Sequence, residues 1–156
     1  MYFLYGKTEV EYLKGKDKIL GAVIDEIGHV DRETDTDLFS SVVHHIIGQQ
    51  ISTKAQATIW QRMKNSFGDV NAAAIAEADI SELQSFGMTF RKAEYIQDFA
   101  KKVQGKEFDL QRIAFMPDAE AIKELASLKG IGVWTAEMIL LFCLSLIHIS
   151  EPTRRS

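Results

Sequence analysis

The residues with the clearest chemistry are two glycines that flank an isoleucine within residues 129–133. Gly130 and Gly132 permit backbone angles closed to other residues, and they leave no side chain between the main chain and an approaching group. A helix that starts directly after them presents free N–H groups and the positive end of its dipole to an anion. The segment therefore predicts a phosphate clamp that needs no arginine, with Ile131 as its buried plug. An ordinary tight turn between two helices is the alternative.

The elements that must hold this turn are helical almost throughout, because apolar residues recur at steps of three and four. The pattern predicts helices over residues 10–27, 38–50, 53–67, 71–78, 80–86, 90–103 and 119–128, and a last helix from Thr135. Candidate N-caps are Asp35, Thr36, Asp37, Ser52, Thr89 and Asp118. No alternating strand pattern persists, so the sequence predicts an all-α fold.

Composition fits one domain, since the chain has 156 residues, of which 46% are hydrophobic and 26% charged. A net charge of −4 weakens long-range attraction to nucleic acid but does not forbid a local basic face. The single cysteine, Cys143, excludes an internal disulfide framework and is interpreted as a small buried hydrophobe. The longest apolar run, residues 138–149, is too short for a bilayer, and no signal peptide is recognised. We therefore expect a cytoplasmic protein without a membrane partner.

Three blocks of sequence resemble the helix-hairpin-helix DNA glycosylases, which are base-excision repair enzymes. They are residues 43–52 (Val-His-His-Ile-Ile-Gly-Gln-Gln-Ile-Ser), residues 83–96, and the hairpin within about residues 125–143 (Leu-x-Gly-Ile-Gly-x-x-Thr-Ala). Trp134 directly after the hairpin resembles the bacterial 3-methyladenine DNA glycosylase II group. The resemblance implies a monomer that needs no cofactor, associates with the nucleoid and hydrolyses the glycosidic bond of alkylated purines in double-stranded DNA.

The resemblance also implies roles for individual residues. Such enzymes rotate a damaged base out of the duplex and fill the gap with a wedge, a role that falls on Gln50 with Gln49 beside it. Without the resemblance, two polar caps at a helix end are the better interpretation of these glutamines. Trp134 and Met138 are implied for the base pocket, where an aromatic face attracts an electron-poor purine. A core aromatic under the hairpin is an equal alternative for Trp134.

Arg91 and Lys92 begin a predicted helix, so they form either a solvated basic face or a structural or phosphate-binding pair. The residues expected to bind DNA are Gln49, Gln50, Lys92, Gly130, Ile131, Gly132 and Thr135. A zinc site is not expected, because His44 and His45 are adjacent and no carboxylate or cysteine completes a ligand set. The resemblance is compatible with a monovalent ion on the carbonyl oxygens of Ala126, Leu128 and Ile131.

The catalytic aspartate of the family is expected near position 154, where this sequence has Arg154 between Thr153 and Arg155. Glu151 lies three residues too early. Residues 144–156 leave the family pattern and resemble a translated adaptor sequence. We therefore expect residues 1–143 to be a partial glycosylase domain without its C-terminal helices, and residues 144–156 to be an artificial tail.

Three functional interpretations remain. The first is a monofunctional DNA glycosylase. A glycosylase that is also a Schiff-base lyase is disfavoured, because no lysine stands beside the second helix of the hairpin and Glu137 occupies that helix. The second is a non-catalytic helix-hairpin-helix DNA-binding module, which would need neither the glutamine wedge nor Trp134. The third is a helical protein–protein adaptor without DNA affinity.

Overall fold

The computed structural model describes residue 2, residues 5–31 and residues 37–144. These residues form ten α-helices and no strand, which confirms the all-α prediction. None of these helices is long and apolar enough to cross a lipid bilayer. The helices are α1 (Lys7–Lys16), α2 (Lys18–Ile27), α3 (Leu38–Gly48), α4 (Thr53–Phe67), α5 (Ala72–Glu77), α6 (Ile80–Ser85), α7 (Phe90–Gln104), α8 (Leu110–Ile113), α9 (Asp118–Ala126) and α10 (Val133–Ile139), which continues into a π-helical turn (Leu140–Leu144).

Three helix starts follow from side-chain caps that the sequence predicts. The side chains of Asp37, Ser52 and Thr89 accept backbone N–H bonds from the first turns of α3, α4 and α7. The predicted cap at Asp118 is wrong, because Pro117 holds the N-cap position with φ −56° and ψ 145°. Asp118 instead lies inside the first turn of α9, where its charge is favourable to the helix dipole. The other two candidate caps, at positions 35 and 36, lie outside the described residues.

The N-terminal region departs from the prediction, because one continuous helix was expected over residues 10–27. Asp17 divides it: its backbone is extended, and its carboxylate accepts N–H bonds from Ile19 (2.8 Å) and Leu20 (3.0 Å). An aspartate competes for backbone donors in this way and so favours a cap over a helix interior. The resulting pair packs mainly on itself. Of the residues in α1 and α2, only Gly21 is buried.

Two smaller departures follow from local chemistry. The four-residue helix α8, capped by Asp109, was not predicted, since it is too short to show a hydrophobic period. Helix α10 begins at Val133, two residues before the predicted start at Thr135, because Gly132 takes the N-cap conformation.

Helix α3 lies at the centre of the core. Its predicted apolar stripe is fully confirmed as buried: Phe39, Val42, Val43, Ile46 and Ile47. Helix α3 packs against α4, α7, α10 and the π-helical turn. Burying one such side chain contributes about 1.5–3 kcal/mol, so the C-terminal end of α3 is held firmly in place. That end carries the loop described next.

Candidate nucleic-acid interface

The turn between α9 and α10, here called the hairpin turn (residues 127–132), is built on Gly130. Its φ is +82°, a left-handed conformation that favours glycine. A Cβ atom added there would lie 2.3 Å from Cδ2 of Tyr95, so the ring leaves no room for a side chain. Ile131 is 5% exposed, as expected for the plug. Its N–H donates to the carbonyl oxygen of Leu128 at 3.1 Å and closes the turn.

Gly132 differs from Gly130, because it does not use the conformational freedom that a glycine permits. Its φ of −89° and ψ of 172° are extended values open to any residue, so no special backbone angle requires a glycine. The expected openness is present, because an added Cβ atom would meet nothing within 4 Å. Gly132 is exposed and caps α10 without a side-chain bond. An approaching group therefore has free access to the main chain at this point.

The loop between α3 and α4, here called the glutamine loop (residues 48–52), lies against the hairpin turn. Nε2 of Gln49 donates to the carbonyl oxygen of Gly130 at 2.7 Å, across 81 residues of sequence. Gln50 is exposed and has a φ of +59°. A left-handed conformation costs a non-glycine residue about 1–2 kcal/mol, so the surrounding contacts must hold Gln50 in it. The wedge candidate and the clamp candidate thus form one continuous surface.

Lys92 holds the glutamine loop through hydrogen bonds to its main chain and to the end of α3. Its Nζ donates to the carbonyl oxygens of Ile47 (2.8 Å) and Gln49 (2.6 Å). These oxygens lie at the C-terminal end of α3, where the helix dipole favours a cation. Partial burial lowers the pKa of Lys92 below its ordinary value. Lys92 therefore has a structural role in these contacts, whereas the neighbouring basic residue, Arg91, is exposed. A DNA contact by Lys92 stays a prediction.

A depression of about 550 Å³ opens between the glutamine loop and the start of α7. Its lining carries two basic side chains and no acidic one, which fits an anionic chain better than a cationic ligand. The lining residues are Gln49, Gln50, Ile51, Thr89, Arg91, Lys92 and Tyr95.

Trp134 is 69% exposed, so its interpretation as a core aromatic is wrong. The buried face of α10 carries Ala136 and Ile139. Because one residue turns a helix by about 100°, Trp134 lies on the opposite side from Ala136. Met138 and Thr135 are half-buried. An open indole ring next to the hairpin turn is available for stacking, and its role in a base pocket stays a prediction.

The sequence of this fold matches a known family model. Residues 43–144 match the model described as HhH-GPD superfamily base excision DNA repair protein, and this match spans about two-thirds of the chain. The chain belongs to the HhH-GPD superfamily. The family membership and fold that the sequence resemblance implied are thereby confirmed.

Individual relatives of this HhH-GPD chain agree with that assignment. A DNA-3-methyladenine glycosylase of Bacillus subtilis is 28% identical over 120 residues, which cover 69% of this chain and 40% of the relative. The crystal structure of a DNA-3-methyladenine glycosidase from Bacillus halodurans superposes with a TM-score of 0.81 and 29% identity, covering 97% of this chain and 70% of that one. A 3-methyladenine DNA-glycosylase from Archaeoglobus fulgidus gives a TM-score of 0.77 and 27% identity, covering 92% and 52%. The chain spans less than half the length of the curated relatives it matches.

The histidines of the HhH-GPD domain do not form a metal site with other ligands in the part of the chain that the structure describes. The ring of His44 contacts Trp60 edge-on at a centroid distance of 3.9 Å, whereas Nδ1 of His45 lies 2.8 Å from the carbonyl oxygen of Ser41. The two rings therefore meet different neighbours, as their adjacency predicts.

One of the three carbonyl groups predicted to bind a monovalent ion, that of Leu128, already accepts a hydrogen bond. The Leu128 carbonyl oxygen accepts the Ile131 N–H, which leaves one lone pair for a further partner. This chemistry is compatible with an ion shared with the carbonyl groups of Ala126 and Ile131. The expected aspartate position, near Arg154, and residues 145–156 lie outside the described residues.

Sequence reasoning missed two residues of α7 that support the hairpin turn. Tyr95 packs under Gly130, and Asp98 contacts Nζ of Lys102 (3.1 Å) and of Lys129 (3.4 Å). Burial raises the pKa of Asp98, but the hydrogen bonds and charges of the two lysines outweigh it, so the pKa is lowered overall. The signal that could have found them is the three-residue step from Lys92 to Tyr95 and from Tyr95 to Asp98, which places successive members on neighbouring positions of one helix.

Proposed function

We propose that this chain is the DNA-gripping part of a base-excision repair glycosylase. The complete enzyme would hydrolyse the N-glycosidic bond of alkylated purines, such as 3-methyladenine, after rotating the base out of double-stranded DNA. Membership of the HhH-GPD superfamily and the names of its relatives support this activity. The observation that carries the proposal is the bond from Gln49 to Gly130, because it joins the glutamine loop and the hairpin turn in one surface.

The residues divide the work of gripping and flipping between them. The N–H groups at the start of α10, left open by Gly132, bind a phosphate of the damaged strand. Gln50 enters the duplex, fills the gap and hydrogen-bonds to the orphaned base, because its amide both donates and accepts. Trp134 stacks on the extruded purine, an attraction of about 0.5–2 kcal/mol when that purine is cationic. We propose that the protein acts as a monomer on nucleoid DNA in the cytoplasm.

The runner-up function is a non-catalytic helix-hairpin-helix module that binds DNA without flipping a base. Two observations favour the glycosylase over it. Gln50 is exposed and strained, and Trp134 is exposed beside the turn, although a plain phosphate clamp needs neither. A protein that flips a base must supply the free energy of unstacking and unpairing, and this cost is smallest where the base is missing or unpaired. The two functions therefore differ in their preference for damaged duplexes.

The test is fluorescence anisotropy with two duplexes of the same length, one of which carries an abasic-site analogue. We expect tighter binding to the abasic duplex. We also expect Gly132→Asp to abolish binding to both duplexes, because the aspartate side chain meets the phosphate with a negative charge and added bulk. The fold should tolerate this substitution, because a Cβ atom added at Gly132 meets nothing within 4 Å. Equal affinity for both duplexes would favour the plain module. Unchanged affinity in Gly132→Asp would remove the clamp from the proposal.

A second measurement addresses the chemistry. Glycosidic cleavage leaves positive charge on the sugar, which a carboxylate must stabilise. Since Arg154 stands where the family's aspartate is expected, we expect this chain to release no 3-methyladenine from alkylated DNA. Release detected by chromatography would show that another carboxylate does this work.

A further inference from the structure

Helix α7 is the common support of the two parts that the proposed function assigns to DNA. Nζ of Lys92, in its first turn, bonds to main-chain carbonyl oxygens of residues 47 and 49. Tyr95, three residues later, fills the space under Gly130. The bond from Gln49 to Gly130 closes the connection between loop and turn. The position of the glutamine loop is therefore fixed from two sides, by the hairpin turn and by α7.

The bonds from Lys92 matter because Gln50 has a backbone conformation that it would not keep without supporting contacts. Its left-handed backbone is less favourable than the ordinary helical or extended conformations. A free loop would relax into one of those conformations and turn the Gln50 side chain to another direction. A hydrogen bond from a charged donor is stronger than one between neutral groups, so the two bonds from Lys92 offset this strain.

Lysine also has the chemistry that this position requires. The carbonyl groups at the end of a helix lack partners within the helix. The Lys92 ammonium offers three hydrogens, and two of them reach the carbonyl oxygens of Ile47 and Gln49 at 2.8 and 2.6 Å. These contacts are main-chain contacts, so they set the conformation of the loop rather than the orientation of one side chain.

We propose that Lys92 is a positioning residue, which holds the glutamine loop so that Gln50 is already in its inserting conformation before DNA binds. Lys92 thereby sets the preference for duplexes with a missing base, without itself touching the gap. The inference rests on the proposed function for its DNA readout. Its loop readout does not depend on DNA.

The test compares Lys92→Met with the matched control Lys101→Met. Lys101 is an exposed residue of the same helix, and its Nζ donates to Oε1 of Gln97 at 3.0 Å. Both variants lose one positive charge. We expect Lys92→Met to reduce the abasic-to-intact affinity ratio about tenfold, which corresponds to the loss of about 1.4 kcal/mol. Lys101→Met should leave that ratio unchanged, and Lys92→Arg, which keeps charge and donors, should restore part of it.

The DNA-free readout is the backbone ¹⁵N relaxation of Gln50. We expect an order parameter near 0.85 in the wild type and below about 0.6 in Lys92→Met, because the loop is then released. An unchanged order parameter would overturn the inference. Where the wild type prefers the abasic duplex, an unchanged affinity ratio in Lys92→Met would overturn it as well. If the wild type shows no abasic preference while Gln50 is released in Lys92→Met, the proposed function fails and the positioning role stands. Should Lys92→Met not fold, Lys92→Gln, with a shorter neutral donor, is measured in the same way.

Discussion

Replacing Gly130 by alanine is the sharpest test of how the hairpin turn is built. Two independent costs arise. The φ of +82° is unfavourable for alanine by about 1–2 kcal/mol. The new Cβ atom would lie 2.3 Å from Cδ2 and 2.9 Å from Cε2 of Tyr95, so the ring must move, and such overpacking costs typically about 1–3 kcal/mol. We expect a total loss of about 2–5 kcal/mol.

The assay is thermal unfolding followed by far-ultraviolet circular dichroism. For a chain of this size, 1 kcal/mol shifts Tm by about 2–4 °C, so Gly130→Ala should lower Tm by about 4–20 °C. The matched control is Gly132→Ala, where the backbone is extended and the added methyl group meets nothing within 4 Å. Its unfolding free energy should stay within about 0.5 kcal/mol of the wild type.

A double-mutant cycle separates the two costs. In a Tyr95→Ala background the clash is gone, and Gly130→Ala should cost only the backbone part of about 1–2 kcal/mol. The predicted coupling between the two substitutions is therefore about 1–3 kcal/mol. A Tm for Gly130→Ala equal to that of the wild type would refute the reasoning as a whole. An equal cost in both backgrounds would refute the contact with Tyr95.

Two further stability predictions concern the same region. Asp98→Asn removes the contacts with Lys102 and Lys129 and should cost about 0.2–1 kcal/mol at neutral pH by urea denaturation. The pKa of Asp98 in the folded state is lowered from 3.8. This stability is therefore fully present above pH 3.8 and is lost as the pH falls through the lowered pKa, so the difference between Asp98→Asn and the wild type should vanish in strong acid. A difference that persists there would contradict the assignment. Gln49→Ala removes the donor to the Gly130 carbonyl group and should cost about 0.5–1.5 kcal/mol in the same assay, with no change taken as evidence that water replaces the bond fully.

Local patterns predicted a large part of this fold. The caps at Asp37, Ser52 and Thr89 and the buried stripe of α3 depend on spacing within one turn or one helix, which the sequence displays directly. The break at Asp17 was missed because apolar residues continue at helical spacing on both sides of it. A polar residue with two available backbone donors decided the conformation there, against the hydrophobic period.

The candidate site was predicted in its parts but not in its connections. The glycine pattern and the two glutamines were recognised from their order in the chain. The support by Lys92 and Tyr95 was not recognised, because both contacts join distant parts of the sequence. Lys92 bonds to residues that precede it by 43 and 45 positions, and Tyr95 packs under a turn that follows it by more than thirty residues. Likewise, the left-handed backbone of Gln50 follows from tertiary contacts and has no local signal, since glutamine does not favour it.

The hydrogen bond between Gln49 and Gly130 has a kinetic consequence. Since the glutamine loop and the hairpin turn are already bonded to each other, the proposed function would leave little chain entropy to be lost when a duplex binds. Association should then be governed by diffusion and orientation rather than by a slow ordering of loops. Under the proposed function, every base pair would meet the same preformed loop and turn, and encounters would differ in the free energy needed to open that base pair.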